Sequence, residues 1–93
     1  MTSGIPPAEQ WRYDSAEFLR GRSFERKPYR LYREGWDHDH CAGCTAKFMV
    51  EPGPDILTEG WAVDATYSHG AEYEWVCPDC YDLLKDALDW TPR

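Results

Sequence analysis

The chain has 93 residues, of which 42% are hydrophobic and 15% aromatic, and it carries a net charge of −7. That length makes one domain, and no apolar run approaches the ~20 residues that a bilayer-spanning helix needs. The acidic excess repels nucleic-acid backbones and suits a basic protein partner or plain solubility.

So short a chain has a poor surface-to-volume ratio and calls for a staple, a metal or disulfides, beside its core. Five tryptophans and six tyrosines indicate a core of few, large side chains. The opening residues, MTSGIPPAEQW, lack the basic start and apolar centre of a secretory signal. The expected compartment is therefore the cytoplasm, where paired cysteines more often hold a metal than each other. The charge is split: residues 1–36 sum to +2 and residues 37–93 to −9.

In chain order, residues 1–13 read as a flexible arm, because Gly4, Pro6 and Pro7 break regular structure. DSAEFLRG, residues 14–21, predicts a short helix with Asp14 or Ser15 as cap, Phe18 and Leu19 inward, and Gly21 as its stop. PYRLYREGW, residues 28–36, alternates as a strand, with Tyr29, Leu31 and Arg33 on one face and Arg30, Tyr32 and Glu34 on the other. EPGPD, residues 51–55, is a loop. Trp61, Val63 and Ala65, then Tyr73 and Trp75, recur at period two on either side of SHGA, which predicts an antiparallel hairpin with a loop of about four residues. Cys80, Leu83, Leu84, Ala87 and Leu88 share one helical face, and Pro78 and Asp79 suit a first turn, so a helix is expected over about 78–89. Trp90, beyond it, is expected to close the core.

All four cysteines fall in two identical spacings, Cys41-Ala-Gly-Cys44 and Cys77-Pro-Asp-Cys80. In each C-x-x-C turn both sulfurs can face one centre while backbone N–H groups bond back to them. Two such turns supply the four thiolates of a tetrahedral zinc, so one structural Zn²⁺ on Cys41, Cys44, Cys77 and Cys80 is expected, with Gly43 letting the first turn close. Iron fits the same ligands. The alternatives are two short disulfides or a redox C-x-x-C; the redox motif would leave the first pair unexplained and lacks its β-α-β setting.

The order of C-x-x-C turn, hairpin and C-x-x-C opening a helix resembles the treble-clef zinc finger. A zinc ribbon is the nearest competitor, but it would place a strand where YDLLKDALDW stands. The resemblance implies a small α+β zinc-stapled domain over residues 14–93, with a basic helix and strand at 14–36 and a treble-clef-like core at 37–91. Segments 36–44, 59–61 and 75–80 also resemble small bacterial C-x-x-C…C-x-x-C proteins of unassigned role, which imply no activity. Nucleases of the HNH type use a treble clef with an Asp-His pair on its hairpin and His or Asn on its helix. Here Asp37, His38, Asp39 and His40 precede the first turn, and the helix has neither His nor Asn.

His38 and His40, beside Cys41, are candidates to donate an N–H to a thiolate or carbonyl around the metal. Asp79, Asp82, Asp86 and Asp89 form an acidic helical stripe, a candidate surface for a basic protein. Residues 20–33 place six basic side chains among aromatics. Arg26, Lys27 and Arg30 are thus candidates for single-stranded nucleic acid. The competing expectation pairs this segment with the acidic half of its own chain. Together these features predict a non-enzymatic zinc-binding interaction module, one form being an inhibitor or immunity-type protein of a basic partner. A nucleic-acid-binding finger is the alternative, and an HNH-like nuclease is a lesser one.

Overall fold

The computed structural model describes residues 5–31 and 33–93. They form a small mixed α+β domain. A 3-10 turn, Pro7–Glu9, leads into helix α1, Gln10–Ala16, and a second 3-10 turn, Glu17–Leu19, follows. Pro7 can open this stretch because its fixed φ suits a first helical turn, where an N–H would have no partner. Residues 7–13, expected as flexible arm, are therefore helical, while residues 1–4 of that arm lie outside the described residues. The helix also starts ahead of the expected caps, Asp14 and Ser15. Leu19 is fully buried as expected, but Phe18 is 58% exposed. Gly21 does stop the segment, at a φ of +77° where a Cβ would be strained.

Strand β1 is Ser23–Pro28, upstream of the strand expected over 28–36. Pro28 closes it because proline has no N–H for the ladder. Only Phe24 is buried in it, and its remaining residues are polar or charged up to Pro28, so hydrophobic alternation does not mark it. Tyr29 is buried, whereas Leu31 and Arg33, expected on the same face, are exposed. Tyr32 lies outside the described residues.

The later strands are β2 Asp39–His40, β3 Lys47–Phe48, β4 Ile56–Leu57, β5 Glu59–Val63 and β6 Trp75–Val76, followed by helix α2 Pro78–Leu84 and strand β7 Thr91–Pro92. Residues 51–55 form no helix or strand, as their prolines demand. Two sheets result, β6-β5-β1-β7 and β2-β3-β4. The hairpin of β5 and β6 is present, with Trp61 opposite Val76 and Ala62 opposite Trp75. Its connection runs through residues 64–74, longer than SHGA alone. Within it the buried Asp64 accepts from Thr66 N and Oγ1, and Arg93 reaches it at 3.0 Å. Ala65, read as the third period-two position, falls in this connection and is exposed.

Opposed residues share a face, so the register separates two packing layers. Phe24 lies opposite Val63, and Arg26 opposite Trp61. This face meets α2: Trp61 stacks on Tyr81 at 3.9 Å, and Phe24 contacts Tyr81 and Trp90. The other face carries Ala62 and Trp75, and Trp75 packs with Tyr29 and Phe48. With both faces covered, Gly60 and Ala62 are buried alongside Val63, and simple alternation in β5 is lost.

In α2, Cys80, Leu84 and, just beyond, Leu88 turn inward as expected. Regular helix ends at Leu84. Residues 85–89 continue as turns to Asp89, whose φ is +56°, and Trp90 N donates to Lys85 O at 2.8 Å. That left-handed residue terminates the helix in place of a glycine. Trp90 is 4% exposed and donates Nε1–H to Leu19 O at 2.9 Å, which closes the core between both ends of the chain. No helix among the described residues is long and apolar enough to cross a membrane.

Candidate metal centre

The first cysteine pair sits in a tight turn after β2. Cys41 N donates to Ala46 O at 2.8 Å and Thr45 N to Cys41 O at 2.9 Å. Ala42 N donates to Trp75 O at 2.9 Å and so fastens the turn to β6. Two residues after Trp75, Cys77 leaves the strand in an extended conformation and caps α2, its Sγ accepting from Cys80 N at 3.3 Å. Pro78 takes the first helical position and Cys80 completes that turn, buried. Gly43 has a spatial reason to be glycine: a Cβ there would stand 2.9 Å from Cys80 Sγ. The two turns are thus interlocked.

The four Sγ atoms lie within 4.8 Å of one another, all as free thiols. Cys44 and Cys77 are 3.7 Å apart. A tetrahedral zinc with bonds of ~2.3 Å separates its sulfurs by about 3.8 Å, so the cluster already has the required size. Backbone N–H groups of Gly43 and Cys77 point at Cys41 Sγ at 3.3 and 3.2 Å. Hydrogen bonds from Cys77 and Cys80 push the Cys41 thiol down to about 2, while the bond to Cys41 pushes Cys77 up to about 12 and Cys80 upward. Four thiolates so close repel one another, and a divalent cation relieves that repulsion.

Arg12 is the site residue that sequence patterns did not mark. Its Nη1 donates to Cys80 Sγ at 3.2 Å and its Nε to Glu9 Oε2 at 2.9 Å. The bond to Cys80 is the chief cause raising the Arg12 pKa. Four thiolates and a dication leave −2, which invites a cation nearby, but nothing in the spacing selects this arginine.

The histidines lie beside the first turn. His38 Nδ1 lies 2.7 Å from Asp37 Oδ2, and the His38 and His40 rings meet edge-on at 4.8 Å. Among the described residues neither bonds to a sulfur. Backbone amides and Arg12 fill that role because the turns themselves aim N–H groups inward. Asp39 accepts from Tyr29 Oη and Trp36 Nε1 at 2.8 and 2.9 Å, so this carboxylate anchors aromatic side chains. The cysteines are the sole cluster of three or more metal-ligating side chains among the described residues.

The charged candidates divide clearly. Asp79, Asp82, Asp86 and Asp89 are exposed, and none makes a salt bridge among the described residues. Arg26 instead pairs with Glu59 at 3.3 Å and lies over the Trp61 ring. Lys27 and Arg30 converge on the buried Glu72, at 2.9 and 2.5 Å.

No protein-family model, curated protein or solved structure matches the chain. The donor set, its spacing and the amides around it fit one metal ion and are compatible with a single zinc.

Proposed function

We propose that the chain is a non-enzymatic zinc-stapled module that binds a basic protein. The carrying observation is the closed set of four cysteine sulfurs, which fills a tetrahedral shell and leaves no position for water or substrate. Bound there, zinc supplies folding energy by joining two turns 33 positions apart. The sequence of first turn, β5–β6 hairpin and second turn opening α2 supports a treble-clef-like description of residues 37–91. The cytoplasm, where thiols stay reduced, is the compartment this site suits.

The exposed Asp79, Asp82, Asp86 and Asp89 support the acidic helix as the contact surface, since their charge is left for an outside cation. Opposite charge would speed encounter with a basic partner, and an inhibitor or immunity-type role is one form of this. Nucleic-acid binding is the less favoured reading, because Arg26, Lys27 and Arg30 are spent on Glu59 and Glu72. An HNH-like activity has less support still: the hairpin strands carry no histidine.

Fluorescence anisotropy with a labelled oligo-arginine peptide and a labelled single-stranded oligonucleotide tests this reading. The peptide is expected to bind, to weaken with salt, and to weaken about 10-fold in an Asp82→Asn/Asp86→Asn variant. Preferential oligonucleotide binding that is lost when Arg26, Lys27 and Arg30 are neutralised would reverse the assignment.

A further inference from the structure

The four sulfurs are not equivalent. Cys41, Cys77 and Cys80 are 2%, 5% and 0% exposed, whereas Cys44 is only half-buried. Cys41 Sγ accepts from two backbone amides, Cys77 Sγ from one, and Cys80 Sγ from Arg12. Among the described residues no N–H donates to Cys44 Sγ, which lies 3.7 Å from Cys77 Sγ. Cys44 also lines an open cleft of about 530 Å³ with Arg12, Ala46, Leu57, Cys77 and Asp79.

Hydrogen bonds draw electron density from a thiolate sulfur, and burial denies it a reaction partner. Cys44 lacks the first protection and has only part of the second. We propose that Cys44 is the reactive sulfur of the centre, the point at which a hydroperoxide-class oxidant enters from the cleft and opens the staple through a Cys44–Cys77 disulfide. The inference rests on the metal-stapled reading of the site.

The chemistry closes in two displacements. Cys44 sulfur attacks a peroxide oxygen: the S–O bond forms, the O–O bond breaks, and the departing oxygen takes the electron pair and a proton as water or alcohol. Cys77 sulfur, 3.7 Å away and lining the same cleft, then attacks Cys44 sulfur. The S–S bond forms, the S–O bond breaks, and hydroxide leaves and is protonated to water. The two thiolates lose two electrons in all, which the peroxide gains. Only Cys41 and Cys80 then remain as ligands, too few to hold the ion, and the domain loses its staple. The outcome is a fold that reads oxidant load as metal release.

The experiment uses the full chain, its metal content measured first. Substoichiometric iodoacetamide, which forms an S–C bond and expels iodide, is followed by peptide mapping. Cys44 is expected to carry about 10-fold more label than any other cysteine in the singly modified protein. Hydrogen peroxide, with a chromogenic metal indicator present, is expected to release one ion per chain as the Cys44–Cys77 disulfide appears in non-reducing maps. Label landing first on Cys41, Cys77 or Cys80, or spread evenly, would overturn the proposal, as would a disulfide joining another pair. A chain holding no metal before treatment would overturn the metal reading and this inference with it.

Discussion

Arg12 Nη1 donates to Cys80 Sγ at 3.2 Å and so ties helix α1 to the metal centre across 68 positions of sequence. The guanidinium offsets part of the −2 that four thiolates and a dication carry. Arg12→Met keeps the bulk and removes the charge. It is expected to weaken metal affinity about 10-fold, the lower end for loss of a group bonded to a ligand. Competition with a chelator of known affinity measures this, and an unchanged affinity would reduce Arg12 to a packing role.

Removing the metal, or one ligand, is expected to unfold the domain. Structural zinc sites contribute about 10–16 kcal/mol of apparent binding energy, as much as the whole stability of a typical domain. Cys41→Ser or Cys80→Ser should abolish stoichiometric metal and the far-ultraviolet signal of α1 and α2. Elemental analysis with circular dichroism before and after chelation decides it. A folded, metal-loaded Cys80→Ser variant would remove that residue from the ligand set.

Two neighbours in the first turn should respond in opposite directions. Gly43→Ala pushes a methyl to 2.9 Å from Cys80 Sγ and 3.2 Å from its Cβ, and is expected to cost about 1–3 kcal/mol. Thr45 holds a φ of +67°, unfavourable for a branched side chain. Thr45→Gly relieves a strain of about 1–2 kcal/mol and pays some of it back in chain entropy, leaving a gain of roughly 0.5–1 kcal/mol. Denaturant midpoints of the metal-loaded variants test both.

Glu72 is buried and bonded by Arg30 and Lys27. The Arg30 bond, then Lys27, pulls its pKa from 4.5 to about 2 against the opposing effect of burial. A carboxylate depressed on folding stabilises fully above its unfolded pKa and loses that contribution as pH falls toward its folded one. The Glu72→Gln variant should therefore be less stable than the parent by about 2 kcal/mol, constant from pH 8 down to about pH 4.5. Denaturant titrations across that range check it. Acid unfolding above pH 4.5 reports protonation of the metal thiolates, because Glu72 is still ionised there.

How far the fold was legible follows the kind of signal each element carries. Helix α2 was readable because Cys80, Leu84 and Leu88 bury one face in the core, the arrangement periodicity describes. The β5–β6 hairpin was readable as an element, but its partners were not, since Gly60 and Ala62 are buried by Phe48 and Trp75 on the second face. Strand β1 was misplaced because its charges are matched in space by Glu59 and Glu72 instead of being buried. The start of helix α1 was placed too late because prolines that break a helix interior also start one.

By itself the sequence determined the four-cysteine cluster and the acidic stripe. A C-x-x-C turn carries its own geometry, and a helical repeat places its own carboxylates, so both are local matters. The tertiary structure decided everything that depends on distant pairing. It brought Arg12 to Cys80, placed β1 inside the main sheet, engaged the basic segment with Glu59 and Glu72, and set Cys44 half-buried at an open cleft. Those choices rest on which surfaces meet across many tens of residues, and side-chain spacing along the chain holds no record of them.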